Sequence, residues 1–144
     1  MSEVPLFTPF KIKSKTLRNR IVLSPMCQYK ALDGFISEWH LQHYSRFAFS
    51  GLGAAFIEAT GVSPKGRIGH GCTGIWDDNH IEGLSKIVKT FKEYNCISGI
   101  QLAHAGRKAS FLRPWDGASP ITKKDGNEPA WQTIGPSAIP INDS

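Results

Sequence analysis

The chain has 144 residues, which is the length of one domain or of part of one. Hydrophobic residues make up 40% of it and charged residues 20%, a balance that excludes a disordered or fibrous protein and predicts a packed core. The three cysteines, Cys27, Cys72 and Cys96, form no CxxC pair, so we expect no disulfide framework and a reducing compartment.

The first predicted element is a short hairpin, with one strand in residues 6–12 and a turn near Ser14 and Lys15. The formal net charge is +5, and five basic residues lie in or beside the hairpin: Lys11, Lys13, Lys15, Arg18 and Arg20. Such a cluster is typical of a nucleic-acid stripe or of a solvated hairpin edge, where lysines block unwanted strand pairing. Because no aromatic residues are interleaved with it, we expect the hairpin edge and no nucleic-acid partner.

Strands and helices alternate along the next part of the chain. Apolar runs predict strands at 20–26, 54–59 and 97–102. Ser37 can cap a helix over 38–50, with an inward stripe of Leu41, Tyr44, Phe47 and Ala48. Asp77 can cap a second helix over 78–94, with the stripe Ile81, Leu84, Val88 and Phe91. This alternation is typical of a parallel α/β fold.

The rest of the chain, residues 113–144, predicts a long loop region. Five of the nine prolines lie between Pro114 and Pro140, together with three glycines. A loop of this length in a compact domain is usually either functional or part of an unfinished structure. We assign the whole of residues 1–144 to one domain.

We expect no membrane partner. No apolar run reaches the ~18 residues that a membrane-spanning helix needs. The first residues carry Glu3 and no long apolar core, and they lack the pattern of a mitochondrial presequence. The expected location is the cytoplasm.

Polar or reactive residues lie near the end of each predicted strand. The first strand leads to Ser24, Cys27 and Tyr29, the second to Glu58 and Thr60, and the third to Gln101 and His104. In parallel α/β folds ligands bind at the carboxyl ends of strands, so the sequence predicts a site there. The alternative is that Ser24 and Gln101 only satisfy local backbone groups.

The cysteine and histidine residues could have structural, cofactor-binding or metal-binding roles. Cys27 is either a buried structural thiol or a thiol held against a cofactor or substrate. We expect Cys96 in the core. His40 and His43 could share one helix face, and His70 lies near Cys72, but no complete ligand set follows, so we expect no metal. No dinucleotide fingerprint, Walker A sequence or serine-hydrolase elbow is present.

Several motifs resemble those of the old yellow enzyme family of flavin oxidoreductases, in the branch with an active-site cysteine, the thermophilic-like NADPH dehydrogenases. The resemblance begins in residues 17–29, which include Ser24, Pro25, Met26 and Cys27. It continues through the segments 58–60, 64–67 and 74–78, the Gln-Leu-Ala-His-Ala-Gly-Arg-Lys run of residues 101–108, and residues 135–138.

The resemblance implies the N-terminal portion of an eight-stranded TIM (β/α)8 barrel, preceded by a hairpin, with FMN at the carboxyl face. It implies an ene reductase, in which a hydride passes from NADPH through FMN to an activated alkene of the enone type. By motif matching, Cys27 and Tyr29 would be catalytic, and Tyr29 would also face the substrate. The cofactor-binding residues would be Ser24, Pro25, Met26, Cys27, Ala59 and Gln101.

The chain departs from the family in length, because such a barrel needs ~200 residues or more and only about three strands are predicted here. The histidine pair and the phosphate loops that the resemblance implies have no counterpart. We therefore expect either a truncated barrel or one that is completed by another chain or by a homo-oligomer. The alternative is a catalytically inactive remnant.

Overall fold

The computed structural model describes residues 4–122 and 128–141. Residues 1–3, 123–127 and 142–144 lie outside this range, so parts of the expected chain start and of the expected loop region do too. The predicted hairpin is confirmed. Strand β1 (Phe10–Ile12) pairs antiparallel with β2 (Lys15–Leu17), and Lys13 in the turn has φ 50°.

A parallel three-stranded sheet follows, in the order β3-β4-β5. Its strands are β3 (Val22–Leu23), β4 (Ala54–Gly61) and β5 (Ile97–Ala103). The prediction of a strand over 20–26 was too long. Pro25 has no N–H to donate to a ladder, and pairing stops two residues before it.

Two helices pack together on one face of this sheet. Helix α1 spans Glu38–Phe49 with Ser37 as its N-cap, and Gly51 follows it at φ 87°. Helix α2 spans Ile81–Glu93, after a single 3-10 turn at Asp78–His80 in which the Asp77 carboxylate accepts a hydrogen bond from the Asn79 N–H. Both helices were predicted, although the second was expected to begin at residue 78.

The predicted stripe of α2 was partly wrong. Leu84 and Phe91 are buried, but Ile81 and Val88 are 51% and 42% exposed, and Ile87 is the residue that enters the core at 1%. The apolar surface of α2 is wider than the face that packs on α1 and β5, so spacing alone did not show which flank is covered.

The core lies between the helices and the sheet. It consists of Leu23, Tyr44, Ala48, Ala55, Ile57, Leu84, Ile87, Phe91 and Cys96. The expected core position of Cys96 is thus confirmed. From residue 113 onward, the described residues contain one 3-10 turn, Pro114–Asp116, an isolated antiparallel bridge from Pro120 to Phe111, and otherwise irregular backbone. Within the described residues no helix has the length and apolar character needed to cross a membrane.

Candidate functional site

The parallel arrangement brings the predicted site residues to one edge of the sheet. Strands β3, β4 and β5 run in the same direction, so their carboxyl ends lie together. Ala59 on β4 and Gln101 on β5 are direct register partners. The segment 24–29 leaves β3 at the same edge, and the Ala59 backbone lies close enough to the Cys27 thiol to lower its pKa. Cys27, on the segment that follows β3, Ala59 on β4 and Gln101 on β5 therefore form a row along this edge of the sheet.

The row presents mixed chemistry to solvent. Ser24, Met26 and Gln101 are exposed, whereas Pro25, Cys27 and Ala59 are half-buried. Within the described ranges the Gln101 amide makes no side-chain hydrogen bond, so both its donor and its acceptor are available. An amide beside a small apolar residue and a thiol fits the edge and one face of a flat heteroaromatic ring.

Cys27 and Tyr29 lie side by side and are protonated at neutral pH. Burial, together with the nearby Cys72 and Glu58, raises the pKa of the Cys27 thiol to about 11. Burial also raises the pKa of the Tyr29 phenol to about 12, with Cys27 as the next cause. The ring of Tyr29 stands edge-on to Trp115, with centroids 5.8 Å apart. Both groups can therefore donate a hydrogen bond, and Cys27 is not an activated nucleophile.

A β-bulge in strand β4, near the carboxyl edge of the sheet, determines the position of Glu58. Ile57 pairs with Ile100 and Ala59 pairs with Gln101, so Glu58 is an extra residue in β4. The Glu58 side chain is fully buried and lies against helix α1, where the Tyr44 hydroxyl donates to its Oε1 atom at 3.4 Å. Its other oxygen accepts the Gln28 backbone N–H at 2.8 Å. Its position near the end of a predicted strand was visible in the sequence, but this contact was not.

Other candidates from the sequence lie apart from the row. His104 is exposed, and its Nδ1 atom accepts the Gly106 backbone N–H. His40 and His43 are buried in the α1 layer, and His70 contacts the Trp131 ring and the Pro129 carbonyl. In the described ranges no three His, Cys, Asp or Glu side chains come together as a metal site. Trp115 is a neighbour of the site that sequence reasoning missed.

Comparisons with known proteins show the family of the chain. Residues 5–134 match the family of NADH:flavin oxidoreductases and NADH oxidases. The chain belongs to this family. An NADPH dehydrogenase of Geobacillus thermodenitrificans is 44% identical over 141 residues, which is 96% of this chain and 36% of that protein. An NADPH dehydrogenase of Bacillus subtilis is 50% identical over 106 residues, which is 72% of this chain and 31% of that protein.

Two solved structures, of an old yellow enzyme and of a reductase, have the same fold in the matched region. The old yellow enzyme of Trypanosoma cruzi superposes with a TM-score of 0.74 at 29% identity, covering 97% of this chain and 36% of that one. Morphinone reductase in complex with tetrahydroNAD superposes with a TM-score of 0.73 at 25% identity, covering 96% of this chain and 42% of that one. The chain spans about a third of the length of the curated relatives it matches.

Proposed function

We propose that this chain forms one wall of an FMN site in an NAD(P)H-dependent oxidoreductase of the ene-reductase type. The observation that carries the proposal is the row of Cys27, Ala59 and Gln101 at the carboxyl edge of β3, β4 and β5. Two further observations support the proposal. The chain belongs to the family of NADH:flavin oxidoreductases, and the amide of Gln101 faces solvent. FMN, when bound, would supply the transfer of a hydride from NADPH to an activated alkene.

The chain's own residues would bind and orient the reactants. Pro25, Met26 and Ala59 would cover part of one face of the flavin, with Ser24 beside them, and the Gln101 amide would pair with its pyrimidine edge. The Cys27 thiol would lie against the ring as a neutral hydrogen-bond donor, which would influence its electron affinity. Tyr29 would donate its phenolic proton in a hydrogen bond to the activating carbonyl of an enone.

We also propose that catalysis needs further polypeptide beyond this wall. Phe56 and Leu102 on the sheet are 39% and 62% exposed, so the described residues leave part of its surface uncovered. A complementing chain or a second copy of this chain would provide the cover, because oriented hydride transfer requires a site closed to water. The same exposure favours a second candidate function, a remnant that holds flavin weakly without turnover.

The experiment is a flavin titration followed by a turnover assay. The purified chain is titrated with FMN, and binding is followed by flavin absorbance and fluorescence. NADPH and a cyclic enone are then added, and enone reduction is followed. Saturable binding with a shifted reduction potential supports the proposed wall, and no detectable FMN binding contradicts it. Binding without enone reduction supports the remnant.

Cys27→Ala tests the role of the thiol, with Cys96→Ala as the matched control. Cys96 lies in the core on the helix side of the sheet, so its loss affects packing. We expect Cys27→Ala to move the potential of the bound flavin and Cys96→Ala to leave it unchanged. An equal potential in both variants would remove Cys27 from the proposed site.

A further inference from the structure

Glu58 is a carboxylate without exposure to water, placed directly behind the proposed flavin wall. It is 0% exposed, and burial raises its pKa to about 7. An uncompensated carboxylate in such a position is costly, so its contacts should show why it is tolerated. Its side chain accepts a hydrogen bond at 2.8 Å from the N–H of Gln28, the residue between Cys27 and Tyr29.

The segment held by this contact has a strained backbone. Tyr29 adopts a left-handed conformation, with φ 53°, which costs a residue with a side chain about 1–2 kcal/mol. The Tyr29 backbone also lies close enough to Glu58 to lower its pKa. The Gln28 N–H, which is directed at the carboxylate at 2.8 Å, fixes the backbone of the turn. Glu58 therefore stabilises the conformation in which Cys27 and Tyr29 lie together.

Helix α1 holds the carboxylate from its other side. The Tyr44 hydroxyl accepts the Glu58 backbone N–H at 2.8 Å and lies 3.4 Å from its Oε1 atom. His40 Nε2 also lies 3.4 Å from Oε1, although this contact is outside hydrogen-bonding geometry. The Ser37 backbone N–H donates to His40 Nδ1, which places the proton of a neutral ring on Nε2, toward Glu58.

We propose that Glu58 is a positioning residue, whose carboxylate connects helix α1 to the turn of Cys27, Gln28 and Tyr29 and so determines where the thiol and the phenol lie. The inference rests on the proposed function, because the turn matters only if it faces a flavin and its substrate. Glu58 itself reaches neither. Its negative charge also disfavours the thiolate of Cys27, since the two groups interact.

One of the groups that face Glu58 provides a way to measure the effect of replacing this residue. They are Cys27 and Tyr29 on the turn, His40 and Tyr44 on α1, and Cys72 on the loop behind the turn. Cys72 and Cys96 are buried at 1% and 4% exposure, whereas Cys27 is half-buried. In the folded protein, Cys27 is therefore the thiol that iodoacetamide reaches first, and its alkylation rate reports on the turn.

The test compares alkylation of each cysteine, followed by peptide mass spectrometry, in four variants without FMN. Glu58→Gln keeps an oxygen for the Gln28 N–H but removes the charge, so we expect alkylation of Cys27 at pH 8.5 to be about threefold faster. Glu58→Ala also removes the acceptor, and we expect an increase of about tenfold or more as the turn is released. Tyr44→Phe keeps the ring in the core and tests the connection to α1 if Glu58→Ala does not fold. Glu82→Gln, at an exposed position on α2, is the matched control.

The outcomes separate positioning from general stability. Faster alkylation of Cys27, with Cys96 unchanged, supports the proposal. Equal acceleration of Cys27 and Cys96 indicates global unfolding and overturns it, as does an unchanged Cys27 rate in both Glu58→Gln and Tyr44→Phe. A separate arm adds FMN to the wild-type chain. Failure of FMN to protect Cys27 would contradict the proposed function but leave the role of Glu58 in the turn as measured.

Discussion

Ala59 and Gln101 are register partners on adjacent parallel strands, and the bulge at Glu58 is what brings them into register. Without the extra residue, Gln101 would pair with position 58. The bulge therefore aligns a small apolar residue and a free amide at the edge where the thiol of Cys27 also lies.

The first prediction concerns this amide. Gln101→Ala should weaken FMN binding by about tenfold, the effect of one lost hydrogen bond of ~1–1.5 kcal/mol. The control is Gln42→Ala, at an exposed position on α1. Fluorescence titration measures both affinities. Equal affinities in the two variants would show that Gln101 does not contact the flavin.

A second prediction follows from the contact of Glu58 with His40. Burial raises the pKa of Glu58 from 4.5 to about 7, so its contribution to stability is present below pH 4.5 and is lost as the pH rises through 7. Burial lowers the pKa of His40 from 6.5 to about 4, so its contribution is present above pH 6.5 and is lost as the pH falls through 4. Between pH 4.5 and 6.5 the two effects oppose each other and nearly cancel.

Variants that lack one of the two groups should reveal how the free energy of unfolding depends on pH through the other group. In Glu58→Gln the free energy of unfolding should rise with pH in this range, and in His40→Gln it should fall, each by up to about 1.4 kcal/mol per pH unit relative to wild type. Urea titrations at several pH values measure this. If the three pH profiles run parallel, the two groups do not titrate as described.

A third prediction tests the packing behind the turn. A Cβ on Gly71 would lie 2.4 Å from the Tyr29 carbonyl oxygen, a backbone atom that cannot rotate away. Gly71→Ala should therefore shift the turn and cost roughly 1–3 kcal/mol of stability. In Gly135→Ala the new Cβ would meet its nearest atom at 3.5 Å, an ordinary contact. Thermal unfolding compares the variants, and an unperturbed Gly71→Ala protein would argue against this close approach.

The fourth prediction uses two adjacent residues of α2. Ile87 is 1% exposed and Val88 is 42% exposed. Ile87→Ala should reduce the free energy of unfolding by about 2–4 kcal/mol, because it leaves a cavity in the core. Val88→Ala should cost no more than about 1 kcal/mol. Urea unfolding measures both, and a larger loss for Val88 would mean that α2 is rotated from the described position.

Much of the fold could be predicted from local patterns. The Ser37 cap, the glycine after α1 and the apolar runs of β4 and β5 each depend on neighbours a few residues away. The exposed flank of α2 could not be predicted, because Ile81 and Val88 have the same spacing as buried residues. Which flank is covered depends on where α1 lies, which is distant in sequence, and on how the chain turns back from α2 into β5.

The candidate site, like the fold, could be predicted only in part from the sequence. The sequence by itself determined which residues are candidates for the site, Cys27, Tyr29 and Gln101, since each follows a predicted strand or lies near its end. Only the tertiary structure showed that Ala59 pairs with Gln101 and that Glu58 anchors the Gln28 peptide. The physical reason is that a bulge shifts register by one residue and a buried carboxylate joins segments 30 residues apart, and neither leaves a periodic signal in the chain.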